Sequence, residues 1–145
     1  MSIDVLKRVF RYILRGVPAG KTILVTGGAK GIGYAISKKC LEEGANVIIC
    51  GRSESDLISA QEQLGDSCKY IKFDVSNHEE VNEVLSQWQQ NNPDAIVEVI
   101  INNAGITKDG LFMWMPKKDW NDVINISLDG FFNVTNFFIQ KLLRN

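Results

Sequence analysis

The first residues in this chain whose types and spacing suit a chemical task are Thr26-Gly27-Gly28-Ala29-Lys30-Gly31-Ile32-Gly33. Glycines at 27, 31 and 33 allow a tight turn through positive φ, close approach of backbone to a phosphate, and close packing of a helix on the strand before it. A helix starting at Gly31 presents free N–H groups and the positive end of its dipole to an anion. The ligand that suits this arrangement is a dinucleotide pyrophosphate, cradled by Gly27, Ala29, Lys30, Gly31, Ile32 and Gly33. Glycine-rich turns are common, and it is the position between a first strand and a first helix that gives this one weight.

The end of the next strand bears on which dinucleotide is meant. A free ribose 2′-hydroxyl is usually met there by Asp or Glu, about 20 residues past the glycines. Here the place reads Gly51-Arg52-Ser53, with no acid. Arg52 is suited to a 2′-phosphate, Ser53 stands beside it, and Lys30 brings a second positive charge. Both cations point to NADP(H) over NAD(H), against the plainer reading of Arg52 as a solvated strand-end arginine.

The elements that must position these residues follow from periodicity. Thr22–Thr26 reads as a buried strand and Gly31 to about Glu43 as a helix closed by Gly44. Asn46–Cys50 is a second strand, and Ser53–Leu64 a helix opened by Ser53 with Asp56 three residues on. Lys69–Phe73 is a third strand. Ser76-Asn77-His78-Glu79 has capping-box spacing ahead of a helix striped by Val81, Val84, Leu85 and Trp88. Asn92-Pro93 stops that helix, Ile96–Ile101 is the fourth strand, and a last helix runs from Lys117 or Lys118 to about Leu143. This alternation predicts an α/β fold, a Rossmann-type doubly wound parallel sheet with strand order 3-2-1-4.

Composition sets the outer bounds. With 145 residues and 45% of them hydrophobic, the chain is long enough for one ordinary domain and too apolar for a disordered one. It lacks the uninterrupted apolar run of roughly 18 residues that a spanning helix needs. Sixteen Lys and Arg against seventeen Asp and Glu exclude a general nucleic-acid binder. Cys40, Cys50 and Cys68 are an odd set for disulfides and lack metal-ligand spacing, so no metal site and a reducing, cytoplasmic setting are expected.

Residues 1–20 stand apart from the expected domain at 21–145. Lys7, Arg8, Arg11 and Arg15 outweigh Asp4, while Ile3, Leu6, Phe10, Ile13 and Val17 recur at helical spacing. Such a basic amphipathic segment suits docking on its own domain through Phe10 and Ile13, which is the preferred reading. Contact of residues 3–17 with a membrane surface is the alternative. Val17-Pro18-Ala19-Gly20 reads as a linker.

From Lys21 to its end the sequence resembles the short-chain dehydrogenase/reductase family, in the order of four signatures. These are Thr26-Gly27-x-x-x-Gly31-x-Gly33, Asp74-Val75 after the third strand, Asn102-Asn103-Ala104-Gly105 after the fourth, and a last helix led by Trp120. Gly105–Trp120 and Gly130-Phe131-Phe132-Asn133-Val134-Thr135 look most like the branch that reduces 3-oxoacyl thioesters. The resemblance implies that Asp74 contacts the adenine, that Val75 lines it, and that the backbone of Asn103, Ala104 and Gly105 flanks the nucleotide ribose. Thr26 and Asn102 would mostly brace the sheet. It also implies a small carbonyl or acyl thioester substrate and reduction by hydride transfer from NADPH.

Two departures accompany the resemblance. The family's serine and Tyr-x-x-x-Lys pair, on a fifth strand and the helix after it, do not appear before Asn145, so the chain is expected to be a cofactor-binding half, inactive alone. Tyr34-Ala35-Ile36-Ser37-Lys38 matches the letters but sits in the first helix, at the pyrophosphate end, and is rejected as that pair. The family also places an asparagine seven residues past the tryptophan, where it holds a water. Here that position is Ser127, and Asn125 lies about 200° of helical rotation away. Ser127 is the one candidate catalytic residue, able to order a water with fewer hydrogen bonds than an amide.

The remaining candidates are modest. His78 reads as solvated, without a metal or triad partner. Trp114, between Met113 and Met115, suits a substrate mouth or core or interface packing. Lys117-Lys118-Asp119 is a solvated helix start. The last helix is apolar around most of its circumference, which predicts self-association or pairing with a complementary piece. A non-catalytic nucleotide-binding or reductase-partner module and a decayed fragment are the rival readings to a reductase.

Overall fold

The computed structural model describes residues 19–142. The expected amphipathic segment at 3–17 lies outside these residues. Strand β1 (Thr22–Thr26) leads through the glycine turn to α1 (Gly31–Glu42), then β2 (Asn46–Gly51), α2 (Glu54–Leu64) and β3 (Cys68–Lys72). Helix α3 (His78–Asn91), β4 (Val99–Ile101), a 3₁₀ turn (Phe112–Trp114), α4 (Lys117–Ile124), a π-helical turn (Asn125–Asp129) and α5 (Gly130–Leu142) complete it. All strand pairs are parallel and the order is β3-β2-β1-β4, as the alternation requires. Among the described residues no helix is long and apolar enough to cross a membrane.

The sheet is covered on both faces, which is why β1, β2 and β4 read as apolar runs, while the edge strand β3 exposes Lys69 and Lys72. Ile23, Val25, Val47 and Ile49 pack with Ile36, Cys40, Leu57 and Ala60 of α1 and α2. Leu24, Ile48, Cys50 and Phe73 pack on the other face with Val81 and Leu85 of α3 and Val134 and Phe138 of α5. Successive β1 side chains thus enter opposite layers, the two-residue period of a strand.

Several local expectations are corrected. Strand β3 begins one residue earlier than expected, and β4 spans only Val99–Ile101, with Ile96 outside it and exposed. The cap of α3 is Asn77, whose Oδ1 accepts from the Glu80 N–H, one residue later than the expected Ser76. Ser76 is otherwise engaged: its N–H and hydroxyl both donate to Asp74 Oδ1, at 2.9 and 2.7 Å. Ser53 does cap α2, accepting from the Asp56 N–H at 3.4 Å. The last helix runs unbroken over 117–142 as expected, but as α4 and α5 joined by the π-helical turn. At its end Gly130 abuts Val75, and a Cβ there would lie 2.7 Å from Val75 Cγ2.

Candidate functional site

The site is built where the strands end. Gly27 and Gly31 hold φ of 65° and 55°, the left-handed conformation that glycine adopts without strain. The Gly27 N–H donates to Cys50 O at 2.8 Å, tying the loop to β2. Gly33 lies against the loop so closely that a Cβ would stand 2.2 Å from Gly27 O and 2.6 Å from Asn103 Nδ2. Gly28 is equally tight against Ile49, at 2.5 Å. The glycines therefore serve two ends, a turn and a close approach of α1 to the strand.

Thr26 and Asn103 join this loop to the one after β4. The buried Thr26 hydroxyl oxygen accepts from the backbone N–H groups of Asn103 and Ala104, both at 2.9 Å. Asn103 Nδ2 donates back to Thr26 O and Gly27 O, at 3.0 and 3.3 Å. The Asn103 side chain and its backbone N–H are thus both spent on the scaffold. Asn102 Nδ2 donates to Thr135 Oγ1 at 3.1 Å, fastening the same loop to α5.

Helix α1 differs from its neighbours at its start. Helices α2 and α3 each have a side-chain cap and acids in the first turn, whereas α1 has no side-chain cap and no acid there. Its first N–H groups and dipole are therefore not neutralised by the chain's own carboxylates, the condition that favours an outside anion.

Two adjoining grooves meet at Gly27, Gly51 and Arg52. One, of about 530 Å³, is lined by Ala29, Lys30, Cys50, Ser53, Asp56 and Leu57 besides these three. The other, of about 170 Å³, is lined by Phe73, Asp74, Val75, Ala104, Gly105, Ile106 and Ile126. Most of the residues singled out from sequence as cofactor contacts thus come together along one crevice at the carboxyl ends of the strands, where open α/β sheets bind ligands. Gly31 and Ile32 sit at the start of α1, with Ile32 exposed, and line neither groove; Gly33 and the Asn103 side chain lie behind the surface.

The groove is charged in balanced pairs that sequence reading did not reveal. Lys30 Nζ lies 2.7 Å from Asp56 Oδ2, and Arg52 Nη1 lies 3.6 Å from Asp74 Oδ2. The Lys30 ammonium, with help from the Ser53 hydroxyl, holds the Asp56 carboxyl below the usual carboxylate range. The partners are far apart in sequence, and only the juxtaposed ends of β1, β2 and β3 bring them together.

Ser127 lies in the π-helical turn with its hydroxyl toward Gly105; a Cβ on that glycine would be 3.9 Å from Ser127 Oγ. Asn125 faces a groove with Asp122 and Lys118 that adjoins the smaller one and shares Arg52, Asp74, Ile106 and Ile126 with it. Tyr34 Oη is 3.3 Å from Gln63 Oε1, between α1 and α2 and remote from Gly105. His78 is exposed but not merely solvated. Its Nδ1 is 2.9 Å from Asn133 Oδ1, its Nε2 is 3.0 Å from Asn82 Nδ2, and Asn133 Nδ2 donates to Val75 O at 2.9 Å. This chain of contacts fixes Val75 at the rim of the smaller groove. Trp114 is 72% exposed, which removes core packing from its readings. Phe112, Met115, Lys117 and Trp120 line a cavity beside it of about 370 Å³. Among the described residues no cluster of His, Cys, Asp or Glu is arranged to hold a metal ion.

Comparison with known proteins agrees with this geometry. The family profile described as short chain dehydrogenase matches residues 21–145. The chain is 36% identical over 139 residues to a 3-oxoacyl-(acyl-carrier-protein) reductase of Chlamydia trachomatis, covering 90% of this chain and 54% of that protein. It is 34% identical to the reductase of the same name from Vibrio harveyi, covering 86% and 50%, and 36% identical to nodulation protein G of a Rhizobium species, with the same coverage. The chain therefore spans about half the length of the curated relatives it matches. In fold it is similar to a solved structure assigned as a short-chain dehydrogenase from Novosphingobium aromaticivorans. That match has a TM-score of 0.77 and 24% identity, covering 87% of this chain and 47% of the other.

Proposed function

The chain belongs to the short-chain dehydrogenase family, and on that premise we propose that it is the NADP(H)-binding part of a reductase of 3-oxoacyl thioesters or similar carbonyl compounds. The observation that carries the cofactor choice is that Lys30 and Arg52 line one groove, with Arg52 in place of an acid just past β2. The names of the relatives support the substrate class.

The residues fit such a nucleotide. The tight turn at Gly27, Gly28 and Gly33, which packs too closely on its own scaffold to admit a Cβ, and the uncapped start of α1 at Gly31 and Ile32 suit the pyrophosphate. Lys30, Arg52 and Ser53 would receive the 2′-phosphate, with Ala29 beside them. Asp74 and Val75 would flank the adenine, and the Asn103, Ala104 and Gly105 backbone the ribose. When bound, the cofactor supplies a hydride for a carbonyl carbon. The chain's own residues do the positioning. Thr26 and Asn103 keep the two loops in fixed register, Ile106 and Ile126 shield the smaller groove from water, and the Ser127 hydroxyl holds a water near Gly105.

No tyrosine follows Tyr70 in the sequence. We therefore expect the 145-residue chain to bind nucleotide without reducing a substrate. Loss of NADPH absorbance with acetoacetyl thioester tests this; sustained turnover would overturn it. Arg52→Ala should weaken NADPH by about 10- to 100-fold, the worth of a charge-assisted contact, with NADH nearly unchanged. An NADPH affinity untouched by that substitution would contradict the cofactor assignment.

A second reading, a module that pairs with itself or with a reductase subunit, is favoured by one observation. Leu128, Phe131, Phe132 and Ile139 leave an exposed apolar face along the π-helical turn and α5. Sedimentation should show self-association that Phe131→Lys abolishes; a monomer at all concentrations would refute it.

A further inference from the structure

We propose that Asp56 sets the cofactor preference: by engaging Lys30 it withholds one of the two cations from a 2′-phosphate, and so limits discrimination in favour of NADPH over NADH. The inference rests on the cofactor reading given above. It starts from the difference between the two ion pairs, since Lys30–Asp56 closes to 2.7 Å whereas Arg52–Asp74 stays at 3.6 Å. Lys30 and Asp56 both line the larger groove, beside Gly27, Arg52 and Ser53.

The partners differ in how firmly they are held. Asp56 sits in the first turn of α2, where its N–H donates to the capping Ser53 Oγ, and its short side chain, also drawn to the Ser53 hydroxyl, has little reach away from the groove. The Lys30 side chain is 73% exposed on a long stem and can swing. A phosphate entering this groove draws Lys30 away from Asp56 and then has the carboxylate as a like-charged neighbour. An aspartate carboxylate at the surface is ionised at neutral pH, so the repulsion remains when Lys30 has moved away. NADH has no 2′-phosphate and meets neither cost, so the effect falls on NADPH alone.

The opposite arrangement is physically reasonable and gives the opposite sign. If Asp56 served to aim Lys30 at the phosphate, removing its charge would weaken NADPH. The Asp56→Asn variant separates the two, because the amide keeps the shape of the side chain. Lys30 is exposed and Asp56 only half-buried at the surface, so the pair contributes little to stability and the fold should persist.

The test is calorimetric titration of the full chain with NADPH and with NADH, in wild type, Asp56→Asn, Lys30→Met and the double variant. Asp56→Asn should bind NADPH about three- to tenfold more tightly, the effect of one like charge a few ångströms away near a surface. NADH affinity should change less than about twofold, and with Lys30→Met in place the gain should shrink to the part that relief of like-charge repulsion supplies. An NADPH affinity unchanged or lowered by Asp56→Asn, with thermal unfolding as in wild type, would overturn the inference and leave the cofactor reading intact. A gain that persists undiminished without Lys30 would also overturn it. Should Asp56→Asn not fold, Asp56→Ser takes its place. Wild type that binds neither nucleotide would overturn the cofactor reading and this inference together.

Discussion

Replacing Thr26 by valine is the most exacting test of how the site is held together. Valine has nearly the shape of threonine, and Thr26 is only 2% exposed, so packing is preserved while one oxygen is lost. That oxygen accepts two backbone N–H groups, those of Asn103 and Ala104, at 2.9 Å each. Its own donation to Ile101 O is long, at 3.4 Å, and contributes less. The bond from Asn103 Nδ2 to Thr26 O uses the backbone and survives the change. Each lost bond at a half-buried N–H is worth about 1 kcal/mol net, and up to about twice that if water cannot replace it. The loss should therefore be about 2–4 kcal/mol, or roughly 6–12 °C in melting temperature for a domain of this size. Thr26→Ser keeps the oxygen and should cost much less. Thermal and urea unfolding followed by circular dichroism would measure both. A Thr26→Val chain within about 0.5 kcal/mol of wild type, or a serine variant as weak as the valine one, would refute the bracing role.

Other substitutions and conditions probe neighbouring parts of the account. Gly33→Ala puts a methyl against Gly27 O, a backbone atom that cannot yield, and should cost about 3 kcal/mol or more and weaken nucleotide binding; unchanged unfolding and binding would show that α1 can retreat. The three thiols are buried, and burial pushes Cys50 up to about 12 and Cys68 to about 11. Alkylation at neutral pH should therefore be slow in the folded chain and complete after denaturation, whereas rapid native labelling would contradict it. Asp56, Glu98 and Asp122 are held below their ordinary range by Lys30, Lys21 and Lys118 respectively. A carboxylate whose folded-state proton affinity is lowered stabilises above its unfolded pKa and loses that contribution as pH falls through the folded value. The melting temperature should accordingly hold from pH 7 to about 5 and fall below about pH 4; a rise on acidification would contradict the sign.

What the sequence made legible is what depends on near neighbours along the chain. The apolar runs Thr22–Thr26 and Asn46–Cys50, the stripe of Val81 and Leu85, and the Ser53 cap all report local geometry, and the sheet order follows from their alternation. The glycine turn was legible for the same reason. Features fixed by contacts between distant segments were not. Asp56 reads as a helix-start acid, and nothing beside it announces Lys30. His78 looks solvated because Asn133, its partner, lies 55 residues on. The π-helical turn within the last helix was not legible, since one widened turn leaves no gap in the pattern and it ends where Gly130 meets Val75. Asn103 was read as a nucleotide contact through its backbone, and what no spacing reveals is that its side chain is spent on Thr26 and Gly27.

The central claim is that the groove at the ends of β1, β2 and β3 takes a 2′-phosphorylated dinucleotide. Calorimetric titration of the 145-residue chain with NADPH and NADH in parallel tests it most directly. The account predicts micromolar binding of NADPH, with NADH about tenfold weaker or more, the share of one charge-assisted phosphate contact. Equal affinity for the two, a preference for NADH, or no binding of either would contradict it.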